Sequence, residues 1–361
     1  MNGKAVFVVG TGRCGSTMLS NMLKEHPDIL SISEFFSCVG DFGFRLEQIF
    51  TQKKIDGKDF WNIISAIAPV TNLAISNDIA ATEIIYPFKA NKSRFNRKTG
   101  VPVILHVCLP HITADHDDLF DEIREYVIDR PVVNLGTHYQ DLFIWLQKRF
   151  NKQLWIERSG GSISYIVPLN NMFPNARFIH IVRDGRTAAI SMSKHLSFKI
   201  YLLAVTLKEY LEINPYENRD RSKVDRLPEN LKKFLPENFD RLAFIDYEIS
   251  LEKWGEVWSQ QIINGLEKLN QIESNRILTI VYEDLIKEPR YNLEKIMDFL
   301  GKDFWNEIWI KKAASIIKKP RSSWQDLPEH KQNLLRESCQ PGIDEINKVG
   351  ISFTEKKSLL C

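Results

Sequence analysis

Cysteine is scarce in this 361-residue chain, with five residues at Cys14, Cys38, Cys108, Cys339 and Cys361 and no C-x-x-C pair among them. An odd, scattered set of this kind argues for reduced thiols in a cytosolic protein rather than a disulfide framework. Charge of one sign is scarce as well. The 48 Lys and Arg against 46 Asp and Glu leave a formal charge of +2, too little for general nucleic-acid affinity or a polybasic membrane anchor, so any cationic site has to be local. No apolar run approaches the roughly 20 residues of a membrane span. The chain reads as entering a strand within five residues, which leaves no room for a signal peptide. No internal repeat or low-complexity tract is present. The expected location is the cytoplasm, without nucleic-acid or membrane partners, and nothing in the sequence bears on oligomeric state.

The most informative stretch is residues 5–34. Val6, Phe7, Val8 and Val9 form a short apolar run without helical period, as in a parallel strand buried on both faces. Gly10, Gly12 and Gly15 then make a turn, and Ser16 and Thr17 open an amphipathic helix carrying Met18, Leu19, Met22 and Leu23. A strand, a glycine-rich turn and a helix in this order form an anion cradle, because unpaired N–H groups and the positive end of the helix dipole converge on one point.

Three anions compete for it. As G-x-G-x-x-G, the glycines match a dinucleotide fingerprint, with Glu34 near the position of a ribose-binding acid. As a triphosphate loop, Gly10 and Gly15 have the right separation, but Ser16 stands where the lysine belongs. The third reading takes Arg13 as the cation and Ser16 and Thr17 as hydroxyl donors to one phosphate-like group. Cys14 reads as a small filler, the alternative being a thiol acidified by Arg13 and the helix terminus.

A second strand-turn-helix unit follows at residues 177–191. The buried run RFIHIV leads into Arg183, Asp184, Gly185 and Arg186, and Ser191 lies on the next helix. A cation at a strand end with a hydroxyl on the following helix suits a phosphate monoester. The plainer alternative is a surface ion pair between Arg183 and Asp184.

The TGRCGST segment, residues 11–17, resembles the 5′-phosphosulfate loop of sulfotransferases, in particular the R-S-G-T-T branch that includes bacterial and tyrosylprotein sulfotransferases. The FIHIVRDGRTAAIS segment, residues 178–191, resembles the family's 3′-phosphate motif, with Arg183 and Ser191 at the matching spacing and Gly185 where proline is commoner, a departure that reads as harmless. Tyr282, Glu283, Asp284 and Leu285 resemble its Y-E-D-L segment.

The resemblance implies an α/β fold with a central parallel sheet flanked by helices, P-loop-like, as one domain over residues 1–361. Insertions around 39–150 and 197–245 would form the acceptor side. It implies transfer of a sulfuryl group from 3′-phosphoadenosine 5′-phosphosulfate (PAPS) to a hydroxyl or amine of a small-molecule acceptor, leaving adenosine 3′,5′-bisphosphate (PAP), with no metal. Gly12, Arg13, Cys14, Gly15, Ser16, Thr17, Arg183 and Ser191 would hold the donor, joined by Arg321 from a basic stretch near the C-terminus. Arg13 would stabilise charge on the leaving group, Arg158 would neutralise the sulfuryl oxygens and Glu34 would be the base. No histidine follows Arg158, since Ser159 and Gly160 occupy those places; His106 or His111 is the alternative base.

Plainer readings stand beside these. Glu34 would cap a helix or pair with an arginine, and Arg158 would pair with Glu157 or Asp184. Two readings from other classes are a P-loop nucleotide kinase or phosphotransferase, which predicts ATP and magnesium, and a non-catalytic nucleotide-binding protein. The aromatics Phe35, Phe36, Phe42, Phe44 and Trp61 suit a partly apolar acceptor. Residues 101–107 read as a strand and 42–50 as a helix, while the proline- and charge-rich stretch 214–239 reads as a solvated insertion.

Overall fold

Five short apolar runs build one sheet: Val6–Gly10 (β1), Ile29–Ser33 (β2), Leu154–Arg158 (β3), Arg177–Val182 (β4) and Ile277–Val281 (β5). Every neighbouring pair is parallel, in the order β2-β3-β1-β4-β5. The structure is a computed structural model and describes residues 5–79, 83–88, 93–317 and 323–353.

Strand β1 is central and buried throughout. Its alternate side chains enter two cores on opposite faces of the sheet. Phe7 and Val9 join Trp155, Phe173 and Phe178 on one face, whereas Val6 and Val8 join Leu19, Ile156 and Ile179 on the other. Phe7 makes an edge contact with Trp155 at 5.6 Å and with Phe173 at 5.2 Å. Burial on both faces explains why these runs lack polar alternation.

Register decides what meets at the sheet's carboxyl edge. Val8 pairs with Arg158, Gly10 with Ile181 and Ser33 with Arg158. The turn after β1, the end of β3, the residue after β2 and the turn after β4 are therefore neighbours, at the edge where open parallel sheets bind ligands. The helices that matter for this edge are Ser16–Lys24 (α1), Phe35–Val39 (α2), Pro69–Ser76 (α3), Gly185–Ser193 (α4), Leu196–Leu211 (α5), Leu251–Leu269 (α6) and Glu329–Lys348 (α7). Helix α6 buries Trp254, Trp258 and Ile262 on one side, as its spacing predicts, and packs against α4 and α7.

Three local expectations are corrected. Residues 101–107 hold the helical turn Val103–His106 and lead into a second helix, Cys108–Ile112, instead of forming a strand. Val103, Ile104, Leu105 and His106 are all buried, and an all-apolar run carries no period to separate helix from strand.

The helix expected over 42–50 is broken into Asp41–Gly43 and Leu46–Ile49, with Asp41 at φ 46 and Phe42 at φ 56. The break is held by the buried Asp41 carboxylate, which accepts from the Val70 and Thr71 amides, each at 3.0 Å, and from the Thr71 hydroxyl at 2.7 Å. Those amides are orphan donors of the first turn of α3, so Asp41 caps a helix distant in sequence. Residues 214–239 are likewise no mere solvated insertion, since Leu227, Leu231, Phe234 and Leu235 are buried in the larger core.

Candidate active site

The turn after β1 closes as a cradle. Gly15, at φ 99, precedes α1, whose N-terminus has no side-chain cap; its first N–H groups and the positive end of its dipole therefore face the space before the turn. Arg13 sits at φ 60, a conformation that costs a non-glycine residue about 1–2 kcal/mol. Ser16 is buried, while Arg13 and Thr17 are exposed. All three glycines of the turn are sterically required, Gly10 because a Cβ there would lie 2.5 Å from the Ile181 carbonyl oxygen. A Cβ at Gly12 would lie 2.4 Å from the Phe198 ring, and one at Gly15 would lie 2.3 Å from the Tyr282 ring.

The turn after β4 reaches the same place. Arg183 donates from Nη1 to the Arg13 carbonyl at 3.0 Å, and Arg13 donates from Nε to Ser191 Oγ at 3.0 Å. Tyr282 lies against both turns, since its ring covers Gly15 and stands 4.4 Å from the Arg183 guanidinium. Glu283 accepts from the Asp184 amide at 3.2 Å, and burial pushes its carboxyl up to about 7. Asp184 pairs with Arg186 at 2.8 Å and caps α4 through the Arg186 amide, and the plainer alternative, an ion pair with Arg183, is not found among the described residues. Gly185 is more than a harmless replacement for proline, because a Cβ there would meet the Trp258 ring at 2.2 Å.

The third corner joins β2 and β3. Arg158 pairs through Nη1 with Glu34 Oε1, and Glu34 Oε2 accepts from the Gly160 amide at 2.8 Å. Glu34 stands at φ 58 at the start of α2 and makes no side-chain cap there. Of the plainer readings, the pairing of Glu34 with an arginine is the one realised; Arg158 takes neither Glu157 nor Asp184. Glu157 points inward instead, accepting from Ser159 Oγ at 2.6 Å, and burial pushes its carboxyl up to about 8. Among the described residues, Thr11 Oγ1, Arg158 Nε and Arg183 Nε are buried polar atoms without a hydrogen-bond partner. Such atoms cost roughly 1–3 kcal/mol each unless something satisfies them, and all three lie at this edge.

The family model described as "Sulfotransferase family" matches residues 5–254. The chain belongs to the sulfotransferase family. Among solved structures it is similar to the sulfotransferase domain of the Synechococcus PCC 7002 olefin synthase, at 15% identity and TM-score 0.44 over 98% of this chain and 97% of that one. It is similar to the sulfotransferase domain of the curacin biosynthetic pathway at 14% identity and TM-score 0.45, over 96% and 98% of the two chains. A third is retinol dehydratase in complex with androsterone and inactive cofactor PAP, at 14% identity and TM-score 0.36 over 94% and 81%. No curated protein matches the sequence.

Within this sulfotransferase the donor-side candidates Gly12, Arg13, Gly15, Ser16, Thr17, Arg183 and Ser191 come together, and Arg158 and Glu34 adjoin them. Cys14 is fully buried, and burial pushes its thiol up, so it fills space and is not acidified. Arg321 lies outside the described residues.

The histidines considered as bases are occupied in the interior. His106 is buried and bonds the Val101 carbonyl at 2.9 Å, with burial lowering it to about 4. His111 contacts Ser31 Oγ at 3.3 Å and is lowered by burial to about 3. Of the five aromatics, Phe35 and Phe36 are core, and Trp61 packs on Phe120 at 4.7 Å. Phe42 and Phe44 do line a cavity of about 500 Å³, with Tyr201 and Val205 and the charged Lys208, Glu209 and Glu212.

Several residues of the site carry no sequence signal. Phe198 covers Gly12, Gln261 accepts from the Gly12 amide at 3.3 Å, and Glu83 faces His195. His195 was within reach of a spacing argument, four residues beyond Ser191. Glu83 stands in an unpatterned segment that only the fold brings in.

Proposed function

We propose that this protein transfers the sulfuryl group of PAPS to a hydroxyl or amine of a small-molecule acceptor, releasing PAP. The observation that carries the reading is the junction of the two turns, Arg183 to the Arg13 carbonyl and Arg13 to Ser191. A nucleotide with anions at both ends of its ribose needs two cationic strand-end turns held at a fixed separation.

In this reading the α1 amides, Arg13, Ser16 and Thr17 bind the 5′-phosphosulfate, and Arg183 and Ser191 bind the 3′-phosphate. The sulfuryl group moves in line, with charge spread over its peripheral oxygens, by analogy with phosphoryl transfer. Arg13 stabilises charge on the leaving phosphate and Arg158 faces the sulfuryl oxygens. The acceptor's proton goes to a carboxylate of this edge, for which Glu34 is the candidate named by the sequence. One domain spans the chain, and the insertions supply the acceptor side: the Phe42–Phe44–Tyr201 cavity suits a partly apolar acceptor.

The test is calorimetric titration of the full-length protein with PAP, together with PAPS cleavage. Micromolar or tighter PAP binding that is lost in Arg13→Ala and Arg183→Ala supports the assignment. Preference for ATP with magnesium over PAP would overturn it.

A further inference from the structure

Glu83 stands at the transfer edge with no role in the reading above. Its Oε1 lies 2.5 Å from His195 Nε2, and the Ser197 hydroxyl at the start of α5 also bonds it. His195 meets the Phe198 ring edge-on at 5.6 Å, and that ring fills the space beside Gly12. The carboxylate is thus tied, through His195 and Phe198, to the anion turn itself. The charged and titratable groups that face it are His195, Arg13, Arg158 and Glu34, with the Cys38 thiol close by. Burial pushes Glu83 up to about 7, the Glu34 charge adds to the rise, and Arg13 and Arg158 oppose it. Burial, helped by Arg13, lowers His195 to about 4, so this histidine is neutral at the pH where Glu83 titrates.

Glu34 is differently placed. Each of its oxygens already holds a donor, Arg158 on one and the Gly160 amide on the other. A base for a neutral-pH transfer is best matched to that pH.

Resting on the sulfuryl-transfer reading, we propose that the two carboxylates divide the work: Glu34 is a positioning residue that keeps Arg158 aimed at the sulfuryl oxygens, and Glu83, held by His195, takes the acceptor's proton. In the step the acceptor O–H bond breaks and its proton joins a Glu83 oxygen. The freed oxygen pair forms the new O–S bond, and the bond from sulfur to the 5′-phosphate breaks with its electron pair leaving on PAP. Neutral His195 holds Glu83 Oε1 through its Nε2–H throughout, and the proton joins the other carboxyl oxygen.

The experiment follows PAP release from PAPS by the full-length protein, with water as the universal acceptor and with 2-naphthol as a probe alcohol, from pH 5 to 9. The wild-type rate is expected to rise with pH through about 7 and level off, because the ionised form of Glu83 is the active one. Glu83→Gln should lose that rise and about 10²–10⁴ of the rate while its PAP affinity and thermal midpoint stay near wild type. Formate should restore part of the rate to Glu83→Ala. His195→Gln should slow turnover and move the midpoint of the profile, whereas Glu34→Gln should slow turnover and lower the midpoint, because the Glu34 charge adds to the rise of Glu83, without abolishing the pH-dependent rise itself. A Glu83→Gln protein that binds PAP and keeps the wild-type profile overturns the assignment, as does loss of the rise in Glu34→Gln alone. Failure of the wild type to bind PAP or cleave PAPS overturns the underlying reading instead, and is separable because it appears before any substitution.

Discussion

The proposed donor edge and the proposed acceptor insertion are built by different means. The donor edge is backbone: two strand-end turns with register fixed by Gly10 against Ile181, glycines where the Phe198 and Tyr282 rings leave no room for a Cβ, and amides at the start of a helix. The acceptor side is side chains on irregular chain. Asp41 and Phe42 take left-handed backbone, helices run for only four residues at Leu46–Ile49 and Val103–His106, and a carboxylate from one segment caps a helix in another. A cradle whose shape is set by the backbone cannot change without disturbing the sheet. Side chains on short segments can be exchanged without disturbing the sheet, so, on the proposed assignment, the difference teaches where specificity can vary and where it cannot.

The sharpest way to break the comparison is at Arg13, which joins the two donor turns. Arg13→Ala should lower kcat/KM by about 10²–10³, the usual loss for one electrostatic stabiliser at a developing charge, and should also weaken PAP binding. Arg183→Ala touches the donor alone. Losing a charge-assisted contact of about 1.5–3 kcal/mol should raise the PAP Kd by roughly 10–150-fold in calorimetry, with the acceptor KM unmoved. A fall in acceptor affinity in Arg183→Ala would show that the two sides are coupled.

The same contrast explains what was legible. Residues 5–34 and 177–191 announce themselves because a buried parallel strand is a solid apolar run and an anion turn needs particular residues at particular spacing. Glu34 and Arg158 could be placed near each other from their strand ends, but their pairing depends on β2 and β3 being neighbours, which no spacing reveals. Phe42 and Phe44 looked like Phe35 and Phe36; only the break held by Asp41 turns the first pair out to the cavity while the second stays in the core. Glu83 acquires its environment from His195 and Arg13, each more than a hundred residues or a whole sheet strand away, so composition around it carries no hint.

A cut confined to the acceptor side is Asp41→Ala. It removes three hydrogen bonds and exposes the first turn of α3 to loss of its cap, worth about 1–3 kcal/mol and a drop on the order of 2–8 °C in thermal midpoint. PAP affinity should stay at the wild-type value. A matching loss of PAP binding would mean that the donor edge leans on this corner after all.

The smallest effect concerns the protons buried beneath both regions. Burial holds Glu157 protonated to about 8, and Glu83 and Glu283 to about 7, above the ordinary carboxyl value of 4.5. Such groups stabilise the folded state fully below 4.5, and the contribution is lost as pH rises through their folded values. The buried His106, His180 and His195, lowered to about 4, have the opposite sign: their contribution is present above 6.5 and is lost as pH falls toward 4. Between 4.5 and 6.5 the two sets oppose each other. From 6.5 to 8 only the carboxyls still titrate, so stability should fall there, by about 1.4 kcal/mol per pH unit for each proton retained in the folded state. Thermal unfolding at pH 6.5 and 8.5 should show the decline, and Glu157→Gln, which cannot ionise, should flatten it by a few degrees without moving the pH profile of turnover. An unchanged slope in Glu157→Gln would mean that Glu157 is ionised in the fold and that the decline comes from the transfer edge itself.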